Sequence, residues 1–258
     1  MKIGLIGAGA IAEFLLTEIN QNNHAQMQIT SVYVRNKEKY EWLETEFGVK
    51  LYTELESFLT SNIDIVVEAA TVEAAQNLLP TIIKHMDIVL ISIGALVDES
   101  LLQRVIELAE AHQHNIHLPS GAIGGLDLLQ NAHSLATVQT VALTTRKPAH
   151  SLTNEKLNKE KVIFKGTAQE AIKQFPKNIN VSIALSLAGL GIKQTTVRLI
   201  ADPDIDKNIH QVDVVGDFGE ASFVVKNNPL PSNPKTSYSA ALSLLGTLER
   251  LVQRIKIG

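Results

Sequence analysis

Apolar positions along this chain fall into two alternating rhythms. Lys2–Ile6, Met27–Val34, Ile63–Glu68 and Asp87–Ile93 are short apolar runs rich in branched side chains, with the length of buried strands. Between them the spacing is helical. Ala10–Ile19 gathers Ile11, Phe14, Leu15 and Ile19 on one face, and Lys37–Phe47 reads as a second helix. Gly48–Tyr52 is a short strand. Thr71 is placed to cap a helix over Val72–His85, which Pro80 should kink. Asp98 or Ser100 opens an amphipathic helix to about His112, and Asn115–Leu118 is one more strand. Alternation of this kind predicts a doubly wound parallel sheet.

The rhythm changes at Pro119. Ser120–Asp127 is dense in glycine and leads into an apolar helix, Leu126–Leu135. It reads as a domain hinge, as a second set of backbone donors beside a cofactor, or as both. Val138–Thr145 alternates as a strand and ends in Arg146-Lys147-Pro148. His150–Lys161 is polar and reads as a loop. A strand over Val162–Lys165, a helix over Thr167–Gln174 and a small-residue helix ending at Leu190 follow. Thr195–Ala201 and Ile209–Val215 read as neighbouring strands, and Gly216–Gly219 turns the chain into Ala221–Lys226. Asn233–Ser237 should cap a final helix, Tyr238–Lys256.

The chemistry begins at the first turn. Gly7-Ala8-Gly9 sits directly between a strand and a helix, the context that a dinucleotide loop requires. Gly7 permits the tight turn, Gly9 lets backbone approach a pyrophosphate, and Ala12 replaces the usual third glycine in helix–strand packing. Gly7, Ala8, Gly9, Ala10 and Ile11 are therefore candidate cofactor contacts. Ala69 and Ala70, small residues after a buried strand, allow a cofactor to lie close by. The second strand ends in Arg35-Asn36, where NAD-specific sites carry a carboxylate for the ribose hydroxyls. Arg35 is either a solvated surface residue or a partner for a 2′-phosphate. The fold class expected is α/β. A Rossmann-type doubly wound parallel sheet spans residues 1–119, and a second α/β domain, 120–233, is built on a mixed, largely antiparallel sheet. The C-terminal helix, 234–258, is expected to pack back on the first domain.

Composition removes several alternatives. There is no cysteine, which excludes disulfides, thiolate catalysis and cysteine–zinc sites. The net charge of −4, with basic residues scattered, gives no nucleic-acid footprint. Glycines and Glu13 interrupt the apolar start, so no secretory signal is expected. The apolar run Ile88–Val97 is far short of the ~20 residues that a membrane helix needs. A soluble, cytoplasmic protein without membrane contact is expected. His112, His114 and His117 suggest a metal site, but no carboxylate has matching spacing, and a solvated helix end explains them more simply. No metal is expected.

LPSGAIGGLD (Leu118–Asp127), TTRKP (Thr144–Pro148), FKGTAQEAIKQFPKNINVSIALSLAGLG (Phe164–Gly191), ADP (Ala201–Pro203), GDFG (Gly216–Gly219) and NPKTS (Asn233–Ser237) occur in this order. Together with Gly7-Ala8-Gly9, they resemble the L-aspartate dehydrogenase family over nearly the whole chain. The resemblance implies oxidation of L-aspartate to iminoaspartate with NAD or NADP. The imine then either hydrolyses to oxaloacetate and ammonia or feeds quinolinate formation on the route to NAD. It also implies a catalytic histidine before GDFG, here His210, and cofactor contacts from Ala122 and from Asn180 or Asn178. Histidine suits proton handling near neutral pH, which imine chemistry needs. Ser120, Arg146, Lys147 and Lys235 are candidates to hold a dicarboxylate substrate. Ala12 and Arg35 depart from the usual pattern, and both concern the grip on the cofactor.

Other two-domain reductases, related to dihydrodipicolinate reductase or homoserine dehydrogenase, share the first domain. Leu118–Asp127 and Phe175–Val181 favour the aspartate enzyme over them. A non-catalytic dinucleotide sensor would need a DNA-binding helix pair or a degraded second domain, and the sequence offers neither. A mixed sheet with one open face, like the resemblance itself, implies a homodimer or a higher homo-oligomer.

Overall fold

The computed structural model describes residues 1–175 and 180–256, with only the backbone at 234 and 235. The chain divides into two compact units. One is Met1–Pro119 with the stretch from Leu244 onward; the other is Ser120–Ser243.

The first unit runs β1 (Lys2–Ile6), α1 (Ala10–Leu16), β2 (Gln28–Tyr33), α2 (Trp42–Phe47), β3 (Lys50–Tyr52), α3 (Leu55–Leu59), β4 (Ile65–Glu68), α4 (Val72–Ile82), β5 (Ile88–Leu90), α5 (Glu99–His112) and β6 (Ile116–His117). The strands form one six-stranded sheet in the order β3-β2-β1-β4-β5-β6. All its pairings are parallel, as the alternation predicts. Every residue of β4 and β5 is buried, which is why those strands read as unbroken apolar runs. The strand order reverses between β1 and β4, so a crevice opens at the C-terminal ends of these two strands.

Local signals set several boundaries. The Thr71 hydroxyl accepts the Ala74 N–H at 3.1 Å and starts α4. Asp98, not Ser100, caps α5 by accepting from the Ser100 and Leu101 amides. Several predicted helices are shorter than expected; the one read over Lys37–Phe47 is a 3₁₀ turn over Glu38–Tyr40 followed by α2 from Trp42. After Leu16 the first widens into a π-turn over Thr17–Gln21. That turn carries Asn20, whose side chain bonds both backbone groups of Ile29 and the Phe47 carbonyl. α4 continues through Pro80 but closes at Ile82, short of His85. The strand expected to reach Ile93 stops at Leu90, and Ile93–Val97 is a 3₁₀ turn. The short helix α3 carries no clear signal in the sequence.

The second unit contains α6 (Leu126–His133), β7 (Val138–Pro148), β8 (Lys161–Thr167), α7 (Ala168–Gln174), α8 (Asn180–Ala188), β9 (Thr196–Asp202), β10 (Asn208–Gly216), β11 (Gly219–Asn227), β12 (Pro229–Leu230) and β13 (Asn233–Ser237), followed by α9 (Tyr238–Val252). Its five-stranded sheet has the order β11-β10-β7-β9-β8. β7 and β9 are parallel and the other pairs antiparallel, so the sheet is mixed, as expected.

Three details differ from the sequence reading. β9 and β10 are not neighbours, because β7 lies between them. Stepping over one strand means crossing about 10 Å, and the five-residue link 203–207 is long enough for that. Asn233–Ser237 is a strand that pairs with β12 and runs directly into α9, which ends at Val252 rather than Lys256. β7 also extends through Arg146 and Lys147, so these residues belong to a strand rather than to the loop after it.

Leu129 from α6, Ala171 from α7 and Leu185 from α8 pack on Val141, Leu143, Val197, Leu199, Val212 and Val214 of the second sheet. In the first unit, Leu244 and Leu248 from the later part of α9 are fully buried with Ile3, Leu5, Leu15 and Val32. No helix among the described residues is long and apolar enough to cross a membrane.

Candidate functional site

A cleft of about 460 Å³ opens in the first unit beside the ends of β1, β2 and β4. Seven predicted cofactor contacts line it: Gly7, Ala8, Gly9, Arg35, Asn36, Ala69 and Ala70. Ala10 and Ile11 do not. They open α1, and Ile11 packs against the hydrophobic core.

Gly7 meets a double demand. Its φ is +99°, and a Cβ there would stand 2.7 Å from the Ala69 carbonyl oxygen. Its N–H donates to the Tyr33 carbonyl at 3.1 Å, which ties the turn to the end of β2. At Gly9 a Cβ would meet nothing within 4 Å. The space beside that backbone is open, as close approach of a phosphate requires. No side chain caps α1, and Ala12 is wholly buried, consistent with a packing role.

Glu68, at the end of β4, was not singled out from the sequence. It is wholly buried and accepts the Ala70 N–H at 2.8 Å, the Ser92 N–H at 3.0 Å and the Ser92 hydroxyl at 2.9 Å. Burial pushes its carboxyl pKa up, and these hydrogen bonds oppose the shift. One carboxylate thereby fixes the turns after both β4 and β5. A glutamate closing the apolar run IDIVVE was the available signal.

Arg35 and Asn36 are exposed at the rim of the cleft. Among the described residues no carboxylate pairs with Arg35, whereas Lys37 pairs with Glu44 at 3.3 Å. Asn36 accepts the Lys39 N–H at 3.1 Å, and the Lys39 ammonium lies 5.1 Å from the centre of the Tyr40 ring.

In the second unit, His210 on β10 stands opposite Thr145 on β7 in the antiparallel register. Both are about 5% exposed, and His210 Nδ1 lies 2.9 Å from Thr145 Oγ1. Lys147, two residues along β7, shares the Thr145 side of the strand. Burial pushes the pKa of His210 down to about 4, and the Lys147 charge adds to the effect. Burial also pushes the Lys147 ammonium down. The imidazole is therefore neutral at physiological pH.

Arg146 takes the opposite side of β7. It pairs with Asp202 at 2.7 Å and with Glu160, and both contacts raise its pKa. The register therefore separates it from the Thr145–Lys147–His210 group. Ser120 and Ala122 lie in the loop before α6. The Gly121 N–H donates to Ser243 Oγ at 3.0 Å, and Asn227 Nδ2 donates to the Ala122 carbonyl at 3.2 Å. Asn180 is the exposed first residue of α8. Asn178 and the Lys235 side chain lie outside the described residues.

The three clustered histidines have local partners. His114 Nδ1 bonds the Ile83 carbonyl at 2.8 Å, His112 stacks on His114, and His117 approaches Asp87 at 3.5 Å. Among the described residues no histidine–carboxylate group could hold a metal ion.

Comparison with known proteins places both units. Residues 7–119 match the family described as homoserine dehydrogenase, NAD binding domain. Residues 127–251 match aspartate dehydrogenase, C-terminal. The chain is 40% identical over 259 residues to an L-aspartate dehydrogenase of Methanothermobacter thermautotrophicus, covering all of this chain and 98% of that one. It is 38% identical over 272 residues to the L-aspartate dehydrogenase of Methanosarcina mazei, covering all of this chain and 99% of that one. The crystal structure of aspartate dehydrogenase from Thermotoga maritima superposes with a TM-score of 0.83 at 31% identity, over all of this chain and 99% of that one. A scyllo-inositol dehydrogenase from Lactobacillus casei, at 11% identity and a TM-score of 0.59, shares the fold. A cleft built for a dinucleotide, a neutral buried histidine and full-length similarity converge on one conclusion: this chain is an oxidoreductase of the L-aspartate dehydrogenase family.

Proposed function

We propose that the protein oxidises L-aspartate to iminoaspartate with NAD or NADP. The imine then either hydrolyses to oxaloacetate and ammonia or passes to quinolinate formation on the route to NAD. The observation that carries this reading is His210, buried, neutral and held at Nδ1 in a unit that matches the aspartate dehydrogenase family.

The roles divide between the units. Gly7, Ala8 and Gly9 take the pyrophosphate, with Ala69 and Ala70 forming the wall after β4. Arg35 meets a 2′-phosphate when NADP is used. Ala122 and Asn180 or Asn178 add cofactor contacts from the second unit. When bound, the nicotinamide supplies the acceptor for the hydrogen and electron pair that leave the substrate Cα. His210 Nε2 takes a proton from the substrate amine, releases it to solvent, and then takes one from the water that attacks the imine. Lys147 pairs with a substrate carboxylate. It shares His210's environment, whereas Arg146 is engaged by two carboxylates on the other side of the strand. Ser120 and Lys235 are further substrate contacts. The enzyme acts in the cytoplasm as a homodimer or a higher homo-oligomer.

Absorbance at 340 nm with L-aspartate and each cofactor tests the reading. Reduction of either cofactor is expected. No reduction with L-aspartate, beside reduction with another amino or hydroxy acid, would overturn it.

A further inference from the structure

Thr145 lies on a strand where threonine is ordinary, within the TTRKP motif, and the sequence assigns it no role. In the fold it is buried directly opposite His210, with its hydroxyl 2.9 Å from Nδ1. The β-branched side chain is stiff at χ1, so the oxygen is held in place by the strand itself. Among the described residues His210 Nε2 makes no hydrogen bond, so the ring has one engaged nitrogen and one available nitrogen. Thr145 also lines a cavity of about 20 Å³ together with Ser182. The rest of its lining is apolar, from Leu143, Phe164, Ala171, Phe175, Val197 and Leu199.

We propose that Thr145 is a positioning residue that selects the His210 tautomer: Nδ1–H donates to Thr145 Oγ1, which leaves the Nε2 lone pair to take the proton. The inference rests on the assignment of His210 as the acid–base group. Neutral imidazole free in water favours the opposite tautomer, with the proton on Nε2, so the protein must supply the preference. A hydroxyl at Nδ1 that is free to act as acceptor supplies it, much as second partners fix the tautomer of other working histidines.

The test uses the full chain labelled with ¹⁵N-histidine. Subtracting the spectrum of His210→Gln identifies the His210 ring among the eight histidines. The wild-type protein should show a protonated Nδ1 and an unprotonated Nε2. Thr145→Val, nearly isosteric, should move the proton to Nε2 and lower kcat by about 10- to 100-fold, with both KM values little changed. Thr145→Ser should restore the tautomer and most of the turnover. A wild-type ring protonated at Nε2 would overturn the proposal without any variant. Unchanged kcat and tautomer in Thr145→Val would do the same. An active His210→Gln would instead remove the acid–base assignment, while the ring spectrum would still report whether Thr145 sets the tautomer.

Discussion

A histidine buried without its proton leaves a mark on stability as well as on catalysis. The folded pKa of about 4 lies below the ordinary 6.5, so the unfolded chain binds the proton first as pH falls. Stability from this source is full above pH 6.5 and is lost as pH drops towards 4. By pH 5 the loss is about 2 kcal/mol. Urea unfolding at pH 7.5 and pH 5 should show this loss in the wild type and not in His210→Gln. Equal losses in both would mean that His210 is not held neutral. The same variant should lose about 10²–10⁴-fold in kcat while still binding cofactor. Arg35 makes a separate prediction. A charge-assisted contact with a 2′-phosphate contributes about 1.5–3 kcal/mol, so Arg35→Ala should raise the KM for NADP at least tenfold and leave that for NAD nearly unchanged. Equal changes for both cofactors would make Arg35 a surface residue.

At the scale of elements, the brace formed by Glu68 joins the turns after β4 and β5. Glutamine offers one acceptor oxygen where the carboxylate offers two, so Glu68→Gln sets an amide donor against an N–H. The cost of one such buried mismatch, about 1–3 kcal/mol, should lower Tm by several degrees. Because the Ala69–Ala70 wall of the cleft shifts with the brace, dinucleotide affinity should weaken about three- to tenfold. Unchanged affinity with lowered Tm would confine Glu68 to stability. Glu68 and Thr145 show what a linear reading misses. The Thr71 cap, the glycine turn and the parallel character of the first sheet rest on residues near one another in the chain, and they were legible. Glu68 and Ser92, or Thr145 and His210, meet only through strand pairing. One neighbour of β10 was misread for the same reason: a short link suggests a hairpin with β9, and only the completed sheet shows β7 in between. His210 itself came from the ordered motifs, since a lone histidine on a strand carries little signal.

At the scale of the molecule, helices α6–α8 cover one side of the second sheet, while Thr144, Gln211, Asp213 and Val215 on the other side stay partly exposed. Val224 on that side is 54% exposed. In the homo-oligomer proposed above, a second copy would cover this surface. Light scattering should give at least twice the chain mass, and Val224→Asp should shift the population towards monomer. A wild type that runs as a monomer at micromolar concentration would remove the assembly.

The helix α9 has a consequence for how the protein comes into being. Its later half supplies Leu244 and Leu248 to the core around β1 and β2, yet the ribosome makes it after the whole of the second unit. The usual expectation, that the leading domain folds while the rest is still being made, therefore does not hold in full. Until α9 is made, the core beside the first sheet lacks Leu244 and Leu248. A fragment ending at Pro119 should bind hydrophobic dyes and gain protection from proteolysis when a peptide of residues 238–258 is added. For the engineer, a cut at Pro119 yields an incomplete module, and any exchange of the dinucleotide half between relatives has to carry both ends of the chain.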